Sequence, residues 1–205
     1  MTIKSWIYDY FIAHRYDAAL AEPTQDFRKI CLDQTGIKEG DVILDLGCGT
    51  GLNQPFLSEL VGPGGRIIGV DASKNMLARA TTRATENNYA HQLELIHGDL
   101  RNLNQLVETE VDAVVATLIF SVVPSWKSVF HESFKLLKTG GRYGIMDNYW
   151  PKPPLRLWLA SWSYAADPKR RGFEPLQQHS PGDFVLEYHP PESDIQFYVA
   201  HATKT

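Results

Sequence analysis

The chain has 205 residues, 43% of them hydrophobic and 21% charged, with a formal net charge of -4. That is the composition of one globular domain with a sizeable core, and the acidic balance argues against a broad electrostatic footprint for nucleic acid. The 2 cysteines, Cys31 and Cys48, form neither a disulfide framework nor a metal-ligand spacing, which points to a reducing, cytoplasmic setting.

The opening "MTIKSWIYDYF" lacks a basic region followed by a continuous apolar run and does not read as a signal peptide. Within it Ile3, Trp6, Ile7, Tyr10 and Phe11 recur along one helical face. Such a face serves either as a lid or core-packing helix or as a peripheral membrane contact with tryptophan at headgroup depth. Only Lys4 and Arg15 supply positive charge there, so attraction to anionic lipid is weak. From residue 41 apolar runs alternate with helical patterns. "DVILDLG" is a strand, "NQPFLSELVG" a helix closed by Gly62, "GGRIIGVD" a strand and "SKNMLARATTRATENN" a helix with Ser73 as its N-cap. "LELIHGD" is a third strand, with His97 packed in it. "VDAVVATLIFSVV" is a fourth, apolar nearly throughout as a strand covered on both faces should be. That run is too short and too interrupted to span a bilayer. "SWKSVFHESFKLLKTGG" reads as a helix stopped at Gly140, and "RYGIMDNYW" as a fifth strand. The segment from Pro151 to Ser180 reads as an apolar-faced helix, with a stripe of Leu155, Trp158, Leu159 and Trp162, followed by an irregular basic stretch. In that stretch Lys169 to Arg171 form either a phosphate contact or a solvated charge run. "DFVLEYH" and "IQFYVAHATK" are separated only by "PPESD", too little for a crossover, so they pair antiparallel. Strands alternating with helices predict an α/β, doubly wound, mostly parallel sheet ending in this antiparallel hairpin.

"DLGCGTG", Asp45 to Gly51, removes side chains where the first strand ends. Glycines there allow positive φ and close backbone approach to a ligand. The spacing is G-x-G-x-G rather than the dinucleotide G-x-G-x-x-G, and Asp45 before it would repel a pyrophosphate but suits a ligand carrying a cation. Asp71, ending the second strand, can accept from ribose hydroxyls, a device that nicotinamide folds share. Asp99 can accept from an adenine amine while the Leu100 amide donates to a ring nitrogen; a plain turn cap is the alternative for Asp99.

"VILDLGCGTG", "IIGVDASKNML", "GDL" and "LLKTGGR" follow in an order that resembles class I S-adenosylmethionine-dependent methyltransferases, over roughly residues 40 to 150. The resemblance implies a Rossmann-like sheet of seven strands and S-adenosylmethionine as cofactor. It implies one domain over 1–205: 1–40 as an N-terminal helical lid or membrane-contact segment, 41–150 as cofactor-binding core, and 151–205 as substrate-side helix and terminal hairpin. It places the methionine part against Asp45 and the loop Gly47, Cys48, Gly49, Thr50 and Gly51. The ribose falls at Asp71, followed by Ala72 and Met76, and the adenine at Gly98, Asp99 and Leu100. Thr117 and Leu118 lie beside the sulfonium, and Tyr16, of the pair Tyr16-Asp17, covers the cofactor, with Tyr8 and Tyr10 as rivals.

Methyl transfer needs alignment and an acceptor with a free lone pair. For acid/base work the best-placed residues are His14, Asp147 and Tyr149, with a surface position the alternative for His14. The place where family members acting on amide or nucleobase nitrogen carry Asn/Asp-Pro-Pro-Tyr/Phe reads "TLIFSVVP", which disfavours those acceptors. "TLIFSVVPSW" with "HESFKLLKTGGR" resembles small bacterial N-methyltransferases of lipid head groups and the quinone-biosynthesis C-methyltransferases. The preferred expectation is an amine acceptor such as a phosphatidylethanolamine-type head group. The alternatives are a carbon or oxygen of a quinone-like or other small metabolite, and a non-catalytic cofactor-binding partner protein.

Overall fold

The structure, a computed structural model, describes the backbone of residues 13–150, 166–190 and 196–205, and their side chains from residue 21 onward. Seven strands form one sheet: β1 (Val42–Leu46), β2 (Arg66–Asp71), β3 (Leu93–His97), β4 (Val111–Thr117), β5 (Leu137–Tyr149), β6 (Val185–His189) and β7 (Gln196–Thr203). Their order is β3-β2-β1-β4-β5-β7-β6. The first five are parallel, whereas β7 runs antiparallel to both β5 and β6, as expected from the short gap before it. The order reverses at β1, which lies between β2 and β4. Crossovers therefore leave β1 in opposite directions and open a crevice at the carboxyl ends of β1 and β4, where ligands of doubly wound sheets bind.

The helices are α1 (Ala13–Thr35), α2 (Gln54–Val61), α3 (Lys74–Glu86), α4 (Leu103–Leu106), α5 (Trp126–Leu136) and α6 (Glu174–His179). Alternation along each strand divides the core in two. Ile43, Ile67, Ala113 and Val115 pack with Leu32 of α1 and with Leu57 and Val61 of α2. Leu44, Leu46, Val114, Ala116 and Ile145 pack on the other face with Leu103, Val129, Phe130 and Leu176. At the β5–β7 end of the α1 face, Cys31 of α1 joins Leu118, Met146 and Val199. Both cysteines are buried and free. Among the described residues no helix is long and apolar enough to cross a membrane. The stripes at residues 3–11 and 155–162 lie outside the described residues.

Local signals hold where they were strong. Ser73 Oγ accepts from the Met76 amide at 3.1 Å and caps α3, and Gly62 closes α2 at φ 61°. Three boundaries differ from the expectation. The helix expected to run to Gly140 stops at Leu136, and Leu137 to Gly141 enter β5 through a bulge in which the register against β4 shifts between Val111 and Ala113. The cause is the end of the chain: the Lys204 ammonium bonds the carbonyls of Phe134 at 2.9 Å and Leu137 at 2.5 Å, while its backbone bonds Gly140 and Gly141. A cation at the last turn thus does the terminating work assigned to glycine. The fourth strand ends at Thr117, because Leu118 turns to φ 57° and gives its N–H to Met146 of β5 at 2.7 Å. The stretch read as irregular holds α6, entered through Pro175.

Candidate active site

At the carboxyl end of β1 the chain turns through Gly47, Gly49 and Gly51, all at positive φ of 62°, 56° and 80°. The two outer glycines are packed: a Cβ on Gly47 would overlap Ile119, and one on Gly51 would overlap Gln54. At Gly49 the nearest atom to such a Cβ is the Gly47 carbonyl at 3.9 Å. Gly49 is therefore where the missing side chain leaves room beside the backbone. Cys48 does not face that room, because its sulfur packs on Gly69, and the Thr50 carbonyl is pinned by Arg83 Nε of α3 at 3.0 Å.

Asp71 ties the second strand to this loop. Its Oδ2 accepts from the Gly49 amide at 2.9 Å, and its Oδ1 accepts from Ser73 at 2.8 Å. The acid expected to meet a ribose thus also sets the shape of the bend. Ala72 is exposed, its carbonyl met by His97 Nε2 at 3.1 Å, and Met76 is buried in the first turn of α3. His97 is exposed rather than packed in its strand, since β3 lies at the sheet edge.

The centre of the crevice is a buried polar network. Asp45 is 0% exposed; its Oδ1 accepts from Asn53 Nδ2 at 2.9 Å, and its Oδ2 has no hydrogen-bond partner among the described residues. Asn53 Nδ2 also donates to Thr117 Oγ1 at 2.9 Å. Above them lies Arg28 of α1, whose Nη1 donates to Asn53 Oδ1 and to Thr117 Oγ1, both at 2.8 Å, and whose Nε donates to Thr24 Oγ1 at 2.9 Å. Burial pushes the Asp45 carboxyl up to about 7, against the downward pull of Asn53 and Arg28. A buried acid with one unsatisfied oxygen is costly unless something cationic or hydrogen-bonding meets it. Asn53 was legible as a neighbour of the glycine stretch but not as a bridge. Arg28 left no local signal: it stands 89 residues from Thr117, and the fold alone joins them.

The third-strand residues divide. Leu100 is buried, and a Cβ on Gly98 would overlap Leu106. Asp99 takes the capping alternative: its Oδ1 accepts from the Arg101 amide at 2.9 Å, and the Arg101 guanidinium pairs with it. That pairing holds its carboxyl below the usual range. Thr117 ends β4 within the network, and Leu118 follows it with its turn to positive φ.

The acid/base expectations fare differently. Asp147 is 1% exposed, and both oxygens accept backbone amides, Oδ2 from Ser121 at 2.8 Å and Oδ1 from Asn148 at 2.7 Å. Asp147 is corrected to a clamp on the loop after β4, because its strand position turns it to the face of Tyr143 and Tyr198, away from Asp45. Tyr149 shares that face and packs on Tyr188 at 5.1 Å between ring centroids, so it too turns from the network. The side chains of His14 and Tyr16 lie outside the described residues, as do Tyr8 and Tyr10. In the basic run, Arg170 Nη1 bonds the carbonyls of Phe120 and Val123 at 2.7 and 2.8 Å, and Arg171 pairs with Glu174 at 3.1 Å. Two of its three cations are thus engaged internally.

Comparison with known proteins bears on this arrangement. A family model described as a methyltransferase domain matches residues 43–141, the span from β1 into β5. The chain is 33% identical over 127 residues to a demethylmenaquinone methyltransferase of Oceanobacillus iheyensis, covering 62% of this chain and 52% of that protein. It is 32% identical over 158 residues to the protein of the same name from Staphylococcus saprophyticus, covering 74% of this chain and 66% of the relative. The chain thus spans between about half and two thirds of these two relatives. A solved structure of a geranyl diphosphate methyltransferase in complex with its cofactor matches with a TM-score of 0.73 at 17% identity, over 96% of this chain and 92% of that one. Likeness in sequence across the glycine-loop half and likeness in fold across nearly the whole chain converge: the chain carries a methyltransferase domain in the fold of the class I S-adenosylmethionine-dependent methyltransferases.

Proposed function

We propose that this chain transfers a methyl group from S-adenosylmethionine to a carbon or oxygen of a quinone-like or similar small aromatic acceptor. The cofactor half is carried by a fully buried Asp45 oxygen that has no partner among the described residues, together with the open backbone at Gly49 in the same strand-end loop. Both fit a nucleoside that brings a cation close to the main chain. The acceptor half rests on the relatives named demethylmenaquinone methyltransferases and on the surface next to Leu118. There the partly buried rings of Phe27 and Phe197, 4.8 Å apart, edge the buried cluster of Cys31, Leu118, Met146 and Val199. Such partly exposed rings offer a planar acceptor a stacking face. Of the three cations expected to meet a lipid phosphate, Arg170 and Arg171 make contacts within the chain, which leaves Lys169.

Bound at this site, the cofactor supplies an electrophilic methyl carbon on a positively charged sulfur. Asp45 and the loop Gly47 to Gly51 hold its amino-acid part, and Asp71 meets the ribose while fixing the Gly49 amide. Leu118, turned to positive φ, closes the apolar side from which water is kept out. Asp147 keeps Ser121, and with it the loop after β4, in one position. The residues around the crevice would align an acceptor with that methyl carbon, the sulfur leaving as the neutral thioether and the acceptor giving up one proton. Incubation with methyl-labelled cofactor and either a hydroquinone series or phosphatidylethanolamine vesicles tests the reading. Label in a single ring-carbon or ether methyl is expected; label in mono-, di- and trimethylated amine lipid would overturn it.

A further inference from the structure

We propose that Arg28 is a positioning residue of the cofactor site, acting through Asn53 and Thr117 to keep Asp45 charged and its second oxygen turned toward the cationic part of the ligand. The proposal rests on the reading that Asp45 meets such a group. Arg28 is 4% exposed, yet among the described residues its hydrogen bonds go to three neutral oxygens: Thr24 Oγ1, Asn53 Oδ1 and Thr117 Oγ1. A guanidinium buried among neutral partners keeps its desolvation cost and extends its field to the next acceptor in line. That acceptor is Asp45, one residue further on: Asn53 takes a hydrogen bond from Arg28 through its carbonyl and gives one to Asp45 through its amide. The arrangement has a direction. An amide whose oxygen is held by a cation can present only its NH₂ to the carboxylate. Asp45 Oδ1 is thereby fixed and Oδ2 left over.

The charged and titratable groups around Asp45 make Arg28 the only stabiliser of its ionised form among the described charges. Arg28 approaches from α1, the Asp71 carboxylate of β2 opposes ionisation, and the buried thiols of Cys31 and Cys48 stay neutral beside it. Burial alone pushes this carboxyl upward, and the guanidinium pulls it back toward the range in which it is ionised at neutral pH. The polar stripe of α1, Thr24 and Arg28, thus contributes to the ligand site, while Leu32 and Thr35 further along serve packing.

The test measures S-adenosylhomocysteine affinity by calorimetry from pH 6 to 9 for the wild type, Arg28→Met, Arg28→Lys and Asp45→Asn. Wild-type affinity should rise with pH to a plateau as Asp45 ionises. In Arg28→Met the same rise should move up by about one pH unit, giving about an eightfold loss at pH 6.5 and less than a twofold loss at pH 9. Arg28→Lys, which retains the charge without the planar fork, should keep the wild-type midpoint and so reports on charge if the methionine variant does not fold. Asp45→Asn should be weak and independent of pH. A loss in Arg28→Met that is equal at every pH, or a midpoint moved as far in Arg28→Lys, would overturn the role of Arg28. Wild-type affinity in Asp45→Asn would overturn the underlying reading of Asp45 instead.

Discussion

Asp45 and Asp147 are buried equally deeply, on strands with β4 between them, and do different things. Asp45 faces α1 and keeps one oxygen without a partner among the described residues; Asp147 faces the cluster around Tyr143 and Tyr198, and both of its oxygens accept backbone amides. Burial raises both carboxyls, to about 7 and about 6. Depth and a shifted pKa therefore do not separate a ligand-facing acid from a structural one. The count of satisfied lone pairs does, because a carboxylate whose oxygens are bound to the main chain has already found its partners.

The largest effect that sharpens this contrast is at Asp45. Asp45→Ala should weaken S-adenosylhomocysteine binding by about 2–3 kcal/mol, the worth of a charged hydrogen bond, whereas Asp147→Asn should leave that affinity within about twofold. Calorimetry on the two variants reads both values, and equal losses would erase the distinction. Asp71→Ala should cost about 1–3 kcal/mol of the same affinity, since Gly49 and Ser73 both lose their acceptor. In Asp147→Asn the penalty should fall on the fold instead, about 1–2 kcal/mol in urea denaturation, because an amide NH₂ would face a backbone donor.

Stability against pH carries the comparison further. The folded state raises both carboxyls above their unfolded value, so it binds more protons than the unfolded chain between the two. The contribution is full below about pH 4 and is lost as pH rises, through about 6 for Asp147 and about 7 for Asp45. Each group contributes a fall of up to about 1.4 kcal/mol per pH unit in its window. In Asp45→Asn the part of the decline between pH 6 and 7 should largely disappear, as urea midpoints across that interval would report. The smallest effect lies outside the contrast: Ser73→Ala removes the α3 cap and should cost about 1 kcal/mol of stability, with Asp71 still holding the Ser73 amide.

What could be read in advance follows the range of each interaction. The parallel sheet, its antiparallel end, the Ser73 cap, the Gly62 stop and the glycine bend are set by residues within a few positions of one another. Period, capping chemistry and φ preference are written locally, and so these were legible. The end of α5 was not, because Lys204 supplies it from the far terminus, and neither was the role of Asp147, because adjacent strand residues face opposite ways and only the packed sheet shows which face holds the site. Asp99 carried one signal compatible with two fates, and the structure shows its carboxylate capping the turn and paired with Arg101.

By itself the sequence determined that strands and helices alternate, where the backbone must bend without side chains, and that acids flank the bend. The tertiary structure decided which of those acids is left with an oxygen to offer. It brought Arg28 and Thr24 of α1 over Asn53 and Thr117, and it turned Asp147 and Tyr149 to the opposite face. The physical reason is that conformational preference acts over a few residues, whereas the satisfaction of a buried charge depends on every element that packs around it.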